Sequence, residues 1–441
     1  MSAIELTAYT GKILGPIAKI LGWIMSGIYD IIYRISGGTI ESIPLAILIM
    51  TILIYMCLLP LTIKQQKFSK LSQKMQPELQ AIQNKYKNRK DQDSMMAMNQ
   101  ETQLLYEKYG ISPTGSCVQA IIQMPILLAL YRVFYNIPAY VGSVRASYTG
   151  LVDGIMNSDG FVGKLADLMS SYGIATTSGL NANNVADTLN AASGAAQQNY
   201  VIDILYKLPS AAWDTVSNGA NTLVGQFGDL KEMIASTFDN MRQFNYFLGL
   251  NISDTPWQII KANLSQHWGL VIIALLIPVF AYLTQLLNIK LMPSAPAGEN
   301  DQMAMQMKTM NMMMPLTSLF FCFITPVGLG IYWIASALVR AVQQVFVNKH
   351  MENIDLDDII KNNQEKAKKK RERLGISEDQ IRQAAMMNTR TIENKAKTKV
   401  SSAQKELELE KAQAMKNQAK EGSLTAKANL VKNFNEKNNR K

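Results

Sequence analysis

The strongest constraint on this chain is a set of long apolar runs without charge. Between Glu41 and Lys64 no Asp, Glu, Lys or Arg occurs for about 22 residues, enough as helix to cross a hydrocarbon core about 30 Å thick. Tyr109 to Tyr131 is a second such run, and Ala262 to Ile289 a third. From Thr309 to Val347 the one charge is Arg340. That run is too long for one span and suits two, with a turn at Thr325-Pro326-Val327-Gly328. Unpaired backbone groups are costly in hydrocarbon, so segments of this kind cross as helices. The expected fold is all-α, a polytopic membrane protein with five transmembrane helices over 41–66, 112–138, 264–290 and, as a pair, 309–348. Thr309 to Thr325 gives about 17 residues, near 25 Å as helix and short of a full core.

The polar stretches between these runs differ in kind. Residues 1–40 carry a weaker apolar pattern, with Ile17, Ile20, Leu21, Ile24, Ile28 and Ile31 at helical spacing but Lys19, Asp30 and Arg34 among them. An outer interfacial amphipathic helix fits this better than a span. Glu5 and the lack of a small-residue cleavage site argue against a signal or transit peptide. Residues 67–111 read as a helical hairpin: Leu71, Met75, Leu79, Ile82 and Tyr86 form one stripe, and Met95, Met98, Leu105 and Tyr109 the other. Lys87 to Asp91 makes its tip, and Pro77 predicts a kink in the first arm. Residues 139–263, rich in Gly, Ser, Ala and Asn, predict a small helical insert with flexible joints. A loop over 291–308 and a basic tail over 349–441 complete the chain.

Charge sets the orientation. The net charge is +10. Residues 361–441 hold about 21 Lys and Arg against about 10 Asp and Glu, which accounts for the whole excess. The hairpin also leans basic, while the insert carries Asp153, Asp159, Asp167, Asp187, Asp203, Asp214, Asp229 and Asp239. Positive segments stay inside. Hairpin and tail are therefore expected in the cytoplasm, with the insert and the N-terminus outside. Cys57, Cys117 and Cys322 all lie in or beside spans and read as packing residues, with no disulfide framework.

Catalysis finds little support. His267 and His350 are far apart and lack partners at ligand spacing, and no phosphate loop, nucleophile elbow or zinc-protease helix occurs. No enzyme activity, cofactor or metal is expected. The polar residues inside the spans are more informative: Tyr55 and Thr62 in the first, Gln119 and Gln123 on one face of the second, Gln285 in the third, and Trp333, Ser336 and Arg340 along one stripe of the fifth. Such residues face a bundle interior or a wet cavity. For the glutamines, hydrogen bonding inside a dry bundle is the plain alternative. Arg340 needs water or a counter-charge, and the spans contain no Asp or Glu.

A particular set of motifs accompanies this pattern: Leu59-Pro60-Leu61-Thr62 with Gln65, Met75-Gln76-Pro77-Glu78, Tyr106 to Gly110, Ser112-Pro113 with Gly115, Gln123-Met124-Pro125, Met314-Pro315 and Gly328-Leu329-Gly330-Ile331-Tyr332-Trp333. Each alone is weak; together they are specific. They resemble the YidC/Oxa family of membrane protein insertases in its Gram-positive form, over roughly half the chain. The resemblance implies a helical bundle with a hydrophilic groove open to the cytoplasm and the inner leaflet. A client's polar segment enters the groove while its apolar segment slides along the outside. Tyr55, Thr62, Gln119, Gln123, Gln285, Trp333, Ser336 and Arg340 are the candidate groove residues, Gln285 and Trp333 falling where the family has them. The chain departs from the family at one place: an arginine usually stands five residues before the first-span proline, where this chain has Tyr55. Arg340 is expected to replace it, because both positions lie about 20 Å below the outer surface. Arg340 also shares a helix face with Trp333, seven residues away.

The resemblance further implies an ATP-independent insertase and membrane chaperone of the bacterial plasma membrane. Its expected partners are nascent membrane proteins, the ribosome, anionic lipids and the Sec translocon, with action alone left open. A small-solute transporter or channel would need a continuous path, and the absence of internal repeats weighs against it. A purely structural ribosome anchor would keep the tail but need no polar residues inside the membrane. The tail's charge favours a phosphate-rich partner. Deleting residues 361–441 is expected to weaken co-sedimentation with ribosomes at low salt while post-translational insertion persists; unchanged co-sedimentation would refute it.

Overall fold

The computed structural model describes residues 11–87, 91–111, 117–176, 179–216, 219–265, 267–291 and 302–373. They are overwhelmingly helical, and their only sheet is one two-stranded antiparallel ribbon. The chain divides into two units, residues 1–77 with 109–362 and residues 78–108 with 363–441. The basic tail beyond Arg373, with its expected lipid and ribosome contacts, lies outside the described residues.

In the first unit α1 (Leu14–Ile35) precedes α2 (Ile43–Tyr86). Ala18, Leu21, Met25 and Tyr29 of α1 are buried, at spacings of three and four. Ile13, Ile20, Ile31 and Ile35 remain exposed on a second face, and Lys19, Asp30 and Arg34 are exposed on a third. A helix with one packed, one apolar and one charged face suits a position at a membrane surface. On α2, Ile43, Ala46, Ile47, Met50 and Ile54 point into the core, while Ile49, Ile52, Leu53 and Met56 are exposed. An apolar residue on every side is what lipid-facing helices show.

α2 is longer than expected. Its 44 residues run without a break through Pro60 and Pro77, so the first span and the first hairpin arm are one helix. In the second unit, α3 (Gln92–Tyr109) lies antiparallel to the last turns of α2. Glu101 accepts from Lys85 at 2.5 Å and from the Tyr86 hydroxyl at 2.8 Å, and Lys108 meets Glu78 at 2.7 Å. Tyr86 and Ala97 are buried beside Ile82 and Met98. Met95, expected in the stripe, is exposed instead. Asp91 starts α3 by accepting from the Ser94 backbone N–H at 3.0 Å. The hairpin tip at 88–90 falls outside the described residues.

α4 (Cys117–Tyr135) leads to the insert, which comprises α5 (Gly142–Met156), α6 (Phe161–Tyr172), α7 (Val185–Ala191), α8 (Ala195–Lys207), α9 (Leu223–Gln226), α10 (Lys231–Asn245) and α11 (Pro256–Asn263). Between α10 and α11, β1 (Tyr246–Phe247) pairs with β2 (Leu250–Asn251). The insert has a close-packed aromatic centre. Trp213 stacks on Phe238 with ring centroids 6.0 Å apart and meets Tyr148 edge-on at 6.3 Å. Its apolar core is continuous with that of α1, α2 and α4.

Three more long helices follow: α12 (Trp268–Leu291), α13 (Gln302–Ile324) and α14 (Val327–Glu352), then α15 (Leu356–Arg373). By length and composition α2, α12 and α14 could each cross a membrane; α4 and α13 hold the shorter apolar stretches Ile121–Tyr135 and Pro315–Ile324. As a helix α13 is not short, since it has 23 residues; only its apolar part is. The turn before α14 is tighter than expected, confined to Thr325 and Pro326.

Small residues set the approach of α12 to α14. A Cβ on Gly330 would stand 2.6 Å from Ile277 Cγ2, so no larger residue fits without moving the helices apart. Gly330→Ala is therefore expected to destabilise the detergent-solubilised protein by about 1–3 kcal/mol. Gly27→Ala on α1, where nothing lies within 4 Å of a new Cβ, should be neutral or stabilising. Thermal melting of both variants reads the difference.

Candidate functional site

The polar residues of the apolar helices collect at one place in the first unit, centred on Tyr55. The Tyr55 side chain is 4% exposed. Gln123 of α4 donates its Nε2 to the Tyr55 hydroxyl at 3.3 Å. Gln343 of α14 donates its Nε2 to the Tyr55 carbonyl at 2.8 Å. A carbonyl oxygen has two lone pairs, so it can take this bond in addition to its helical one. The Arg340 guanidinium sits 5.8 Å from the centre of the Tyr55 ring, within reach of a cation–π contact. Tyr55 thus ties together α2, α4 and α14.

Arg340 itself is half-buried and donates its Nε to the Ser336 carbonyl at 3.3 Å. Among the described residues no carboxylate pairs with it. Close by, Gln343 Oε1 is buried without a hydrogen bond, and the Tyr332 hydroxyl is buried facing Tyr55. A cation held beside an aromatic ring, with unspent donors and acceptors around it, can take up an acidic or strongly polar group.

The other candidates are placed less tightly. Ser336 is buried, and its hydroxyl donates to the Trp333 carbonyl at 2.9 Å. Trp333 is half-buried and packs on the core. Thr62 donates to the Leu58 carbonyl of its own helix at 3.2 Å. Gln285 is half-buried on α12, and neither it nor Thr62 is hydrogen-bonded to the Tyr55 set among the described residues. The Gln119 side chain lies outside the described residues, although its backbone belongs to α4.

Further polar contacts, not anticipated, lie along α14 on either side of Arg340. Gln66 donates to Asn348 Oδ1 at 3.0 Å, and Asn348 donates to the Leu291 carbonyl at 3.3 Å. Asn288 donates to the Ala337 carbonyl at 2.9 Å. These bonds join α2, α12 and α14. Gln343, Asn348 and Asn288 carry no charge, so a search keyed to charges inside apolar runs passes over them. Their spacing from Arg340, three and eight residues for the two on α14, was the available signal.

The insert is fastened to the span ends by backbone chemistry. The first N–H groups of α14 have no partner within their own helix. Val327 N–H is accepted by the Asp254 carbonyl at 2.8 Å and Gly328 N–H by the Ile252 carbonyl at 2.9 Å. At the C-terminal end of α4, Lys207 Nζ donates to the Tyr135 carbonyl. Burial holds the Lys207 ammonium well below its usual pKa, with Asp203 acting in the opposite sense. The Asp254 carboxylate is buried and accepts the Ser210 hydroxyl at 2.7 Å and the Ser210 N–H at 3.2 Å. Among the described residues no cluster of three or more His, Cys, Asp or Glu could hold a metal ion.

This architecture has relatives. The family described as "60Kd inner membrane protein" matches residues 35–207 and 226–354. The chain belongs to this family. It is similar to the membrane protein insertase YidC of Bifidobacterium longum, 35% identical over 143 residues, covering 32% of this chain and 42% of that protein. The membrane protein insertase MisCA of Bacillus subtilis is 40% identical over 103 residues, covering 23% of this chain and 39% of MisCA. The membrane protein insertase YidC of Clostridium tetani is 43% identical over 101 residues, covering 23% of this chain and 44% of that protein. The aligned parts thus span less than half the length of these relatives. Like its family, the chain is an all-α membrane protein with more than one span.

The fastening has a pH dependence. Burial pushes the Asp254 carboxyl up from 3.8 to about 6, against the Ser210 donors that pull it down. A raised carboxyl pKa stabilises the fold while protonated, so stability is greatest below about pH 4 and falls as pH rises through about 6. The loss is about 3 kcal/mol across that window. Melting temperature measured from about pH 4 to about pH 7 should fall less for Asp254→Asn than for the parent. Parallel curves would refute it.

Proposed function

We propose that this chain is a membrane protein insertase that works through a hydrophilic groove around Tyr55 and Arg340. Family membership supports the reaction class. The single observation that carries the assignment of the groove is the Arg340 guanidinium 5.8 Å from the Tyr55 ring, with no carboxylate partner among the described residues. A half-buried cation beside apolar helices is costly unless it has a task. Attracting the acidic or polar segment of a client is such a task. No bond is made or broken: the groove lowers the barrier to crossing by replacing part of the water that a polar segment gives up.

In this reading α2, α4, α12, α13 and α14 are the five spans. The hairpin formed by the end of α2 and by α3 receives clients in the cytoplasm of a bacterial cell, and the insert faces outside. Gln123, Gln343 and Ser336 position the Tyr55–Arg340 pair; Thr62, Gln119, Gln285 and Trp333 extend the groove along the neighbouring turns. The partners are nascent membrane proteins, and for the tail the ribosome or anionic lipid. A Sec translocon is a further partner in this reading.

The test uses an insertion assay with a client whose translocated segment is acidic. Arg340→Ala should lose activity, and Arg340→Ala with Tyr55→Arg should regain it, because the two side chains occupy adjoining space. Normal insertion by the single variant would sink the proposal. Arg340→Lys, which keeps the charge but not the planar fork, should retain part of the activity.

A further inference from the structure

The turn between β1 and β2 breaks a local rule. Its two central residues, Leu248 and Gly249, both have positive φ, +52° and +83°. Such a two-residue turn favours Asn or Asp followed by Gly, because a branched side chain crowds the left-handed backbone. Here leucine stands in the first place, and no burial in the protein compensates it: Leu248 is 67% exposed. Among the described residues it is the one non-glycine with positive φ.

Its surroundings indicate what compensates it. A Cβ on Gly249 would lie 3.4 Å from Leu270 Cδ2, so the turn sits level with the first turn of α12, a helix long and apolar enough to cross a membrane. The same segment is held on the end of α14 by the bonds of Ile252 and Asp254 to Gly328 and Val327. Two apolar helices therefore set its depth. Across a cleft of about 830 Å³ that reaches Leu270, α11 presents Trp257, 50% exposed, with Lys261 Nζ 5.1 Å over its ring. Leu264 and Trp268, also more than half exposed, continue the patch to the start of α12. Apolar tips, tryptophans and a lysine with a long stem, all at one end of a span, are the composition of a membrane interface.

We propose that the β1–β2 turn and α11 dip into the leaflet on the insert side, with Leu248 among the acyl chains and Trp257 and Lys261 at the headgroups. The insert is then a membrane-seated element rather than a domain standing clear of the bilayer. This goes beyond the insertase reading and needs only that α12 spans.

The test places nitroxide labels on the full chain in lipid vesicles, in a parent with Cys57, Cys117 and Cys322 replaced by alanine. Labels go at Leu248→Cys, at Ile272→Cys on the exposed apolar face of α12, and at Asp159→Cys in an exposed charged loop of the insert. Relaxation by dissolved oxygen against a water-soluble nickel chelate reads depth. The Leu248 label should shift toward oxygen, as the Ile272 label does, while the Asp159 label stays with nickel. A Leu248 label that behaves like the Asp159 label overturns the proposal. In that case the Ile272 label decides separately whether α12 lies in lipid.

Discussion

What the rest of the structure depends on is the cost of a polar group left unpaired in hydrocarbon. It acts first on the ends of the apolar helices, where backbone donors and acceptors run out of partners. α14 solves this with carbonyls from Ile252 and Asp254, and α4 with the ammonium of Lys207. In each case the partner comes from the insert. An element that might have been tethered by loops alone is thereby pinned to the helices it joins. Its apolar core is shared with theirs, and the flexible joints suggested by its Gly and Ser content are not what hold it.

The same cost acts in the interior. Gln123, Gln343, Asn288, Gln66 and Asn348 each spend donors on a neighbouring helix and so cross-link the bundle, while the Ser and Thr hydroxyls bond back to their own helices. Hydrogen bonds of this kind inside a membrane are worth about 0.6 kcal/mol on average, so they orient the helices more than they stabilise them. Arg340 differs in being charged. It spends one donor on its own helix and turns its charge toward an aromatic ring, and that leaves the capacity that a groove needs.

Much of this was legible in the residues. Charge-free runs fall on the long apolar helices, because desolvation of a charge outweighs local propensity, but not on all their ends: α2 continues to Tyr86 and α13 begins at Gln302, both inside charged sequence. Depth and facing single out Arg340 and Tyr55, and a helix face shared with Gln119 singles out Gln123; the structure places Gln123 and Arg340 against Tyr55. Other features were hidden for identifiable reasons. The end of the charge-free run at Lys64 suggests that the first helix stops there, yet α2 runs on through Pro60 and Pro77 into the hairpin arm. Met95 shares helical spacing with Met98 but not its face, because Ala97 and Tyr86 make the close contact. The uncharged residues Gln343, Asn288 and Asn348 leave no mark in a charge pattern. The insert resisted reading because its core is built from scattered aromatics, Tyr148, Trp213 and Phe238, whose contacts are long in sequence.

The position of the cation bears on how such a groove can change while its chemistry persists. A charge is felt through space, so the helix that carries it matters less than its depth and its facing. Tyr55 on α2 and Arg340 on α14 adjoin, the guanidinium 5.8 Å from the ring centre, so in the proposed reading a cation on either helix acts on the same region. A tyrosine in the vacated place adds a ring face that lowers the cost of the cation, by roughly 0.5–2 kcal/mol depending on how dry the site is. The Tyr55 hydroxyl also cross-links α2 to α4, by accepting the bond from Gln123 Nε2.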